Sequence, residues 1–361
     1  MNKERNLALL GAAMAACLLM VQGCSWRWPE RNDTANLPEP ANLAKTEQLQ
    51  PAYNFAPYST AIYAELQRNT FSKTGYDTDP DISRDGRWLV YVSDSHSGNP
   101  DIYLKTLTGE SMVQKTMSPA NDIQPCFSPD GKYLAFASDR NGNYDIFIMP
   151  TDKNGSLWQV TRTSADDVAP SWSWDGKRLA FSSRTSRGEW ELWIIDLKTR
   201  SLTNLGPGLN PDWHPSKDLI AFQRPYYNGA LSYSIYTIDT EGKNLTLLVR
   251  GERWVPTCPS WSPDGSRIAF AVTNTAESLG RVRPINKANE IWMVNVDGSQ
   301  ELRVTEGTGH YWTPTWARIN AEERIYFASD RDNTANIWSV RCSRFPIAES
   351  PTTTETVETG E

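Results

Sequence analysis

Three aspartates stand at a fixed interval of 45 residues, Asp77, Asp122 and Asp167, flanked by Asp79, Asn121 and Asp166. Carboxylates that recur at a constant period are groups a repeat architecture can bring to one place. Hard cations such as calcium take several oxygen ligands, so converging Asp side chains would offer a cation seat or a face for a basic protein segment. The alternative is that each Asp bonds the amides of its own turn. Later in the chain the corresponding positions carry Arg253, Trp254, His310, Tyr311 and Trp312. Together the two groups predict a binding surface that is acidic on one side and aromatic on the other.

Catalytic chemistry has few candidates here. The chain has three histidines, His96, His214 and His310, and only His310 falls in the group just described. It contains no H-E-x-x-H, no G-x-S-x-G and no phosphate-binding G-x-x-x-x-G-K-[ST]. A carbohydrate-active or metal-dependent enzyme that uses His310 with the aspartates is the competing reading; a non-catalytic binding protein is the first.

The elements that must hold these residues are visible in Gln124 to Met149, QPCFSPDGKYLAFASDRNGNYDIFIM. Short apolar runs of strand length alternate with Ser-Pro-Asp-Gly and Asp-Arg-Asn-Gly turns, where Pro presets φ, Asp bonds nearby backbone and Gly accepts positive φ. Six copies align on Pro80, Pro125, Pro170, Pro211, Pro259 and Pro314. Two residues after each stands Ile82, Phe127, Trp172, Trp213, Trp261 or Trp316, expected as core between repeats. Four-stranded repeats of about 40–50 residues are propeller blades. The expectation is an all-β, six-bladed β-propeller of four-stranded antiparallel blades. The first aspartates lie three residues before the aligned prolines, in loops expected to line the mouth of its channel. The last copy lacks a fourth strand of its own, and Ala61 to Thr70 is expected to complete it, closing the ring.

The ends have a different character. Lys3 and Arg5 precede an apolar run from Leu7 to Val21, too short to span a membrane, which ends at Gly23-Cys24 as a secretion signal does. The organisation expected is a signal peptide over 1–23, a flexible tether over 24–56, the propeller over 57–345 and a disordered acidic tail over 346–361. A formal net charge of −7 argues against a nucleic-acid-binding role, which needs a basic footprint. Cys126, Cys258 and Cys342 form no disulfide framework.

The leader resembles the bacterial lipoprotein signals, which implies lipidation of Cys24 and, with Ser25 after it, an outer-membrane protein facing the periplasm. Several acyl chains on one cysteine, at about 0.8 kcal/mol per buried CH₂, make a permanent anchor. The repeat itself, W-S-P-D-G-K-x-L-A-F-x-S-D-R-x-G-x-x-D-I-Y, resembles the TolB-like propeller family. It departs from that pattern at Trp213-His214-Pro215-Ser216 and at Ala317-Arg318-Ile319-Asn320. Ahead of the repeats stands the tether, in place of that family's separate N-terminal α/β domain. The resemblance implies an envelope protein whose mouth receives a protein or peptide, a peptidoglycan-associated lipoprotein among them, without a bound cofactor. Propellers also occur in prolyl-oligopeptidase relatives, ahead of a hydrolase domain, and in pectin-degrading lyases with a metal-binding His cluster that is missing here.

Overall fold

The computed structural model describes residues 65–342 except 97, 153–155, 228–230, 252–253, 275–288 and 307–308. The expected signal peptide, Cys24, tether and acidic tail lie outside the described residues, as does Arg253.

Strand β1 (Gln67–Arg68) precedes the repeats. Blade one is β2 (Asp77–Ile82), β3 (Trp88–Ser93), β4 (Asp101–Thr106) and β5 (Met112–Gln114). Blade two is β6 (Asp122–Phe127), β7 (Tyr133–Ser138), β8 (Asp145–Pro150) and β9 (Trp158–Gln159). Blade three is β10 (Asp167–Trp172), β11 (Arg178–Arg184), β12 (Trp190–Asp196) and β13 (Leu202–Pro207). Blade four is β14 (Leu209–Trp213), β15 (Leu219–Tyr227), β16 (Leu231–Asp239) and β17 (Thr246–Val249). Blade five is β18 (Trp254–Trp261), β19 (Arg267–Asn274), β20 (Glu290–Asn295) and β21 (Leu302–Arg303). Blade six takes β22 (Tyr311–Ile319), β23 (Glu322–Ser329) and β24 (Asn336–Arg341) from the chain's end and β1 from its start, in the order β1-β24-β23-β22.

Turn chemistry explains the first hairpin of each blade. In blade two Ser128 Oγ donates to Asp130 Oδ1 at 2.7 Å and accepts from Tyr133 N at 3.0 Å. Gly131, at φ +69°, completes the turn by donating its N–H to Ser128 O. Ser83, Ser173 and Ser262 repeat the arrangement. Blade four replaces the serine by His214, whose Nδ1 accepts from Ser216 N at 3.1 Å and whose ring stands edge-on to Trp261 of blade five. Blade six, which has no Asp-Gly here, turns on Asn320 and Ala321, at φ +48° and +68°. Two successive positive-φ residues give the tight reversal that suits strand twist.

The core lies between blades. Ile82, Phe127, Trp172, Trp213, Trp261 and Trp316 are all buried, as expected of them. Closure also follows expectation: Gln67 pairs with Ser339 and Arg68 with Trp338. Beyond this short ladder, Thr70 Oγ1 accepts from Ile337 N at 2.9 Å. Thr116, Thr161 and Thr305 accept in the same way from Ile102, Ile146 and Ile291 in blades one, two and five. The N-terminal segment therefore stands in the place of a native outer strand.

Candidate functional site

Each innermost strand has a β-bulge at its aligned proline. The ladder shifts register between Thr78 and Asp81, Ile123 and Cys126, Val168 and Ser171, Leu209 and Asp212, Thr257 and Ser260, and Trp312 and Thr315. The residue before each proline sits in the left-handed region: Asp79, Gln124, Ala169, Asn210, Cys258 and Thr313 have φ between +46° and +53°. A non-glycine residue is uncommon there, and proline further restricts the residue ahead of it. Six repetitions mark a device of the fold. A bulge re-aims side chains, and here it turns the residues on both sides of each proline toward the axis.

The result is a central channel with a cavity of about 150 Å³, lined in every blade by the proline and its two neighbours. The upper level, nearer the start of the inner strands, holds Asp79, Gln124, Ala169, Asn210, Cys258 and Thr313. The lower level holds Asp81, Cys126, Ser171, Asp212, Ser260 and Thr315.

The lower level ties the ring together. Asp81 Oδ2 accepts from Phe127 N at 2.7 Å, Ser171 Oγ from Trp213 N at 2.9 Å, Asp212 Oδ2 from Trp261 N at 2.7 Å, and Ser260 Oγ from Trp316 N at 3.2 Å. Cys126 Sγ donates to Pro170 O at 3.0 Å, and Thr315 Oγ1 donates to Asp81 Oδ1 at 3.2 Å. Every junction between neighbouring blades carries one of these bonds.

Asp81 and Asp212 belong to blades one and four, opposite each other in a ring of six. Burial pushes Asp81 up to about 6 and Asp212 up to about 7, and the charge of Asp81 adds to the rise at Asp212. At the upper level burial likewise pushes Asp79 up to about 6. Its Oδ1 accepts from Thr78 Oγ1 at 3.3 Å and the Gln124 backbone N–H lies near enough to favour its charge, whereas its buried Oδ2 completes no hydrogen bond. Burial, with Asp81 and Asp212 nearby, raises the Cys126 thiol far above its usual range, so it stays protonated and unreactive.

Arg84 closes the lower end. It stands in the first turn of blade one, where blades two, four and five have Pro129, Pro215 and Pro263. Its Nη2 donates to Pro215 O of blade four at 3.3 Å, across the channel. Its side chain is exposed, and Asp212 and Asp81 both favour its charge.

The aspartates expected at the mouth are placed differently. Asp77, Asp122 and Asp167 are buried and already lie on the strands, opposite Ser93, Ser138 and Ser183. Asp77 accepts Ser72 Oγ at 2.9 Å; Asp122 accepts Arg140 Nη2 at 2.8 and 3.1 Å; Asp167 Oδ2 accepts Thr163 Oγ1 at 3.2 Å, while its buried Oδ1 has no partner. Each partner comes from the loops next to its own strand. Among the described residues no group of three or more His, Cys, Asp or Glu is disposed to hold a metal ion, so the expected cation seat on these three is not assembled. Burial raises all three carboxyls.

On the aromatic side, Tyr311 and Trp312 are core. Tyr311 stacks edge-on against Phe327 and donates its hydroxyl to Glu306 O, and Trp312 Nε1 donates to Thr78 Oγ1 at 2.9 Å. Their strand begins before the bulge, so period-two alternation directs them between blades rather than toward the axis. Trp254 is half-buried at the start of β18 and packs on the core beside blade five. His310 is half-buried, with its N–H bonded to Asp330 Oδ1 at 2.7 Å and its Nδ1 without a partner. Among the described residues of the expected site, only Asp79 lines the channel. Asp81, Asp212 and Arg84 are additions, and their signal was their position: two carboxylates directly after aligned prolines, and an arginine where other copies have proline.

A family profile described as the TolB beta propeller domain matches residues 58–252, more than half the chain. Among solved structures, a TolB from Agrobacterium tumefaciens is 18% identical, with 76% of this chain and 91% of that one covered at a TM-score of 0.57. TolB from Acinetobacter baumannii is 22% identical, with 67% of this chain and 57% of that one covered at a TM-score of 0.55. An oligogalacturonate lyase from Vibrio parahaemolyticus is 13% identical, with 77% and 93% covered at a TM-score of 0.55. At these identities the likeness is one of fold.

Proposed function

The chain belongs to the TolB β-propeller family, and from that premise we propose that it is a non-catalytic scaffold that receives a protein or peptide segment at the upper opening of its channel. The observation that carries this reading is Asp79. Its carboxylate is buried on the channel wall with Oδ2 unbonded, and a buried acceptor without a donor costs about 1–3 kcal/mol. A segment that brings an N–H or a cationic group to this oxygen recovers that cost. Arg84 spans the opposite end, so the ligand enters from the side where the inner strands begin.

The partner we favour is an envelope protein or peptide, with a peptidoglycan-associated lipoprotein as the candidate that likeness to TolB suggests. Export, lipidation at Cys24 and attachment to the outer membrane on its periplasmic side complete the proposal and rest on the leader. The competing polysaccharide-active reading needs His310 beside the carboxylates. His310, however, starts blade six with its backbone N–H bound to Asp330 and is not among the channel-lining residues.

The test is photocrosslinking in native envelopes from a reactive residue at Trp254, with the exposed Trp158 on the outer strand of blade two as control. A discrete adduct from Trp254 alone, weakened several-fold by Asp79→Asn, is the expected outcome. Equal adducts from both positions, or indifference to Asp79→Asn, sinks the proposal. Turnover of a pectin-type polysaccharide abolished by His310→Ala would favour the enzyme.

A further inference from the structure

Blades two and six carry the same turn after their second strand, Ser138-Asp139-Arg140 and Ser329-Asp330-Arg331. The two turns are built alike. Asp139 Oδ1 accepts from Asn121 N at 2.7 Å, and Asp330 Oδ1 accepts from His310 N at 2.7 Å. The guanidinium of Arg140 lies 4.8 Å from the ring of Phe147, and that of Arg331 lies 5.1 Å from the ring of Trp338, the residue at the same place in its strand. The difference is the counter-ion. Arg140 reaches both oxygens of Asp122, which faces Ser138. The residue facing Ser329 is Tyr311, whose ring is turned onto Phe327 and whose hydroxyl is spent on Glu306 O.

Arg331 thus keeps the pose of a paired arginine after its pair has been removed. Its Nη1 is buried with no hydrogen-bond partner, and the Nε1 of Trp338, which is 8% exposed, has none either. The carboxylates next to it in sequence are committed elsewhere, Asp330 to His310 N and Asp332 to Arg68 at 3.5 Å. Arg68, 5.7 Å from the Trp338 ring, is offset by Asp332 and donates to Thr70 O and Ser72 O, which leaves Arg331 as the arginine without a carboxylate there. A guanidinium fixed on an aromatic face, with its donors unspent, is organised for a planar two-oxygen acceptor.

We propose that Arg331, seated on Trp338, is a binding site for a carboxylate of an acidic side chain on a docking partner, which takes the role Asp122 plays within blade two. This site lies in the turn of blade six and does not depend on the channel reading. It stands or falls separately.

The experiment follows the indole N–H resonance of Trp338 in the full-length protein, identified by its loss in Trp338→Phe, while acetylated and amidated aspartate is added. A saturable shift is expected with the aspartate compound and none with its asparagine counterpart. Arg331→Gln is expected to weaken the response at least tenfold while leaving a cooperative thermal transition in place, because the guanidinium gives up its contact with the Trp338 ring but no ion pair. A response that is absent, equal for asparagine, or retained in Arg331→Gln overturns the proposal. Tighter binding of inorganic phosphate than of the aspartate compound overturns the assignment to carboxylate.

Discussion

Two sets of three aspartates lie on the innermost strands, four of the six buried and Asp81 and Asp212 partly so, and they behave differently. Asp77, Asp122 and Asp167 open the inner strands and take hydrogen bonds from their own neighbourhoods. Asp79, Asp81 and Asp212 lie only a little further along the same strands or their counterpart in blade four, yet they face the axis. There they bond across blades or, at Asp79 Oδ2, to nothing. Burial raises the carboxyls of both sets. Burial alone therefore does not separate scaffold from site, and neither does a single unpartnered oxygen, since Asp167 Oδ1 has no partner either. Facing the channel does. Arg140 and Arg331 differ in another way, by whether the guanidinium has a carboxylate partner.

Substitutions can break or sharpen this contrast. The largest effect is expected from Asp122→Ala, which strands Arg140; breaking a buried pair costs about 3–5 kcal/mol, read as a lower urea midpoint. Asp212→Asn is expected to act in the opposite direction. A carboxyl whose folded pKa is raised contributes stability below its unfolded value near 3.8 and loses it as pH rises through the folded value of about 7. Asparagine has no charge to bury, so the variant should gain about 2–4 kcal/mol at pH 8 and little at pH 4. Asp79→Asn, raised only to about 6, should show the same sign at about 1–3 kcal/mol over the same two pH values. Arg331→Gln, which gives up only the contact with the Trp338 ring, should cost about 0.5–2 kcal/mol. A loss as large as that of Asp122→Ala would mean that its guanidinium is already engaged.

Most of the fold was legible because the repeat announces itself in types with few alternatives: proline, a large apolar residue two positions on, and a Gly-containing turn. The closure was legible too, since Ala61 to Thr70 had the only unclaimed strand pattern at the right distance. The site was not. Placing the mouth three residues before each proline assumed that those residues still lay in a loop, whereas Asp77, Asp122 and Asp167 are already in register with Ser93, Ser138 and Ser183. The bulge then changes which side chains face inward, and neither propensity nor periodicity places six non-glycine residues at positive φ ahead of proline. Comparing copies at the positions beside the proline isolates Asp81 and Asp212, and comparing the turns isolates Arg84. The absence of a counter-ion for Arg331 needs the pairing of Tyr311 with Ser329 to be seen at all.

The bonds around the lower level of the channel have one more consequence. At four of the six junctions an acceptor in one blade satisfies a backbone donor of the next, as Asp81 does for Phe127 and Asp212 for Trp261. At the other two, Cys126 and Thr315 donate to the following blade. The ring therefore resembles a masonry arch, in which no stone rests on itself. An open stack of repeats can fray from its ends because each unit loses only a neighbour. Removing one blade from this circle would leave an unmatched hydrogen-bonding group on each side of the gap. Such a circle is expected to melt in a single calorimetric transition.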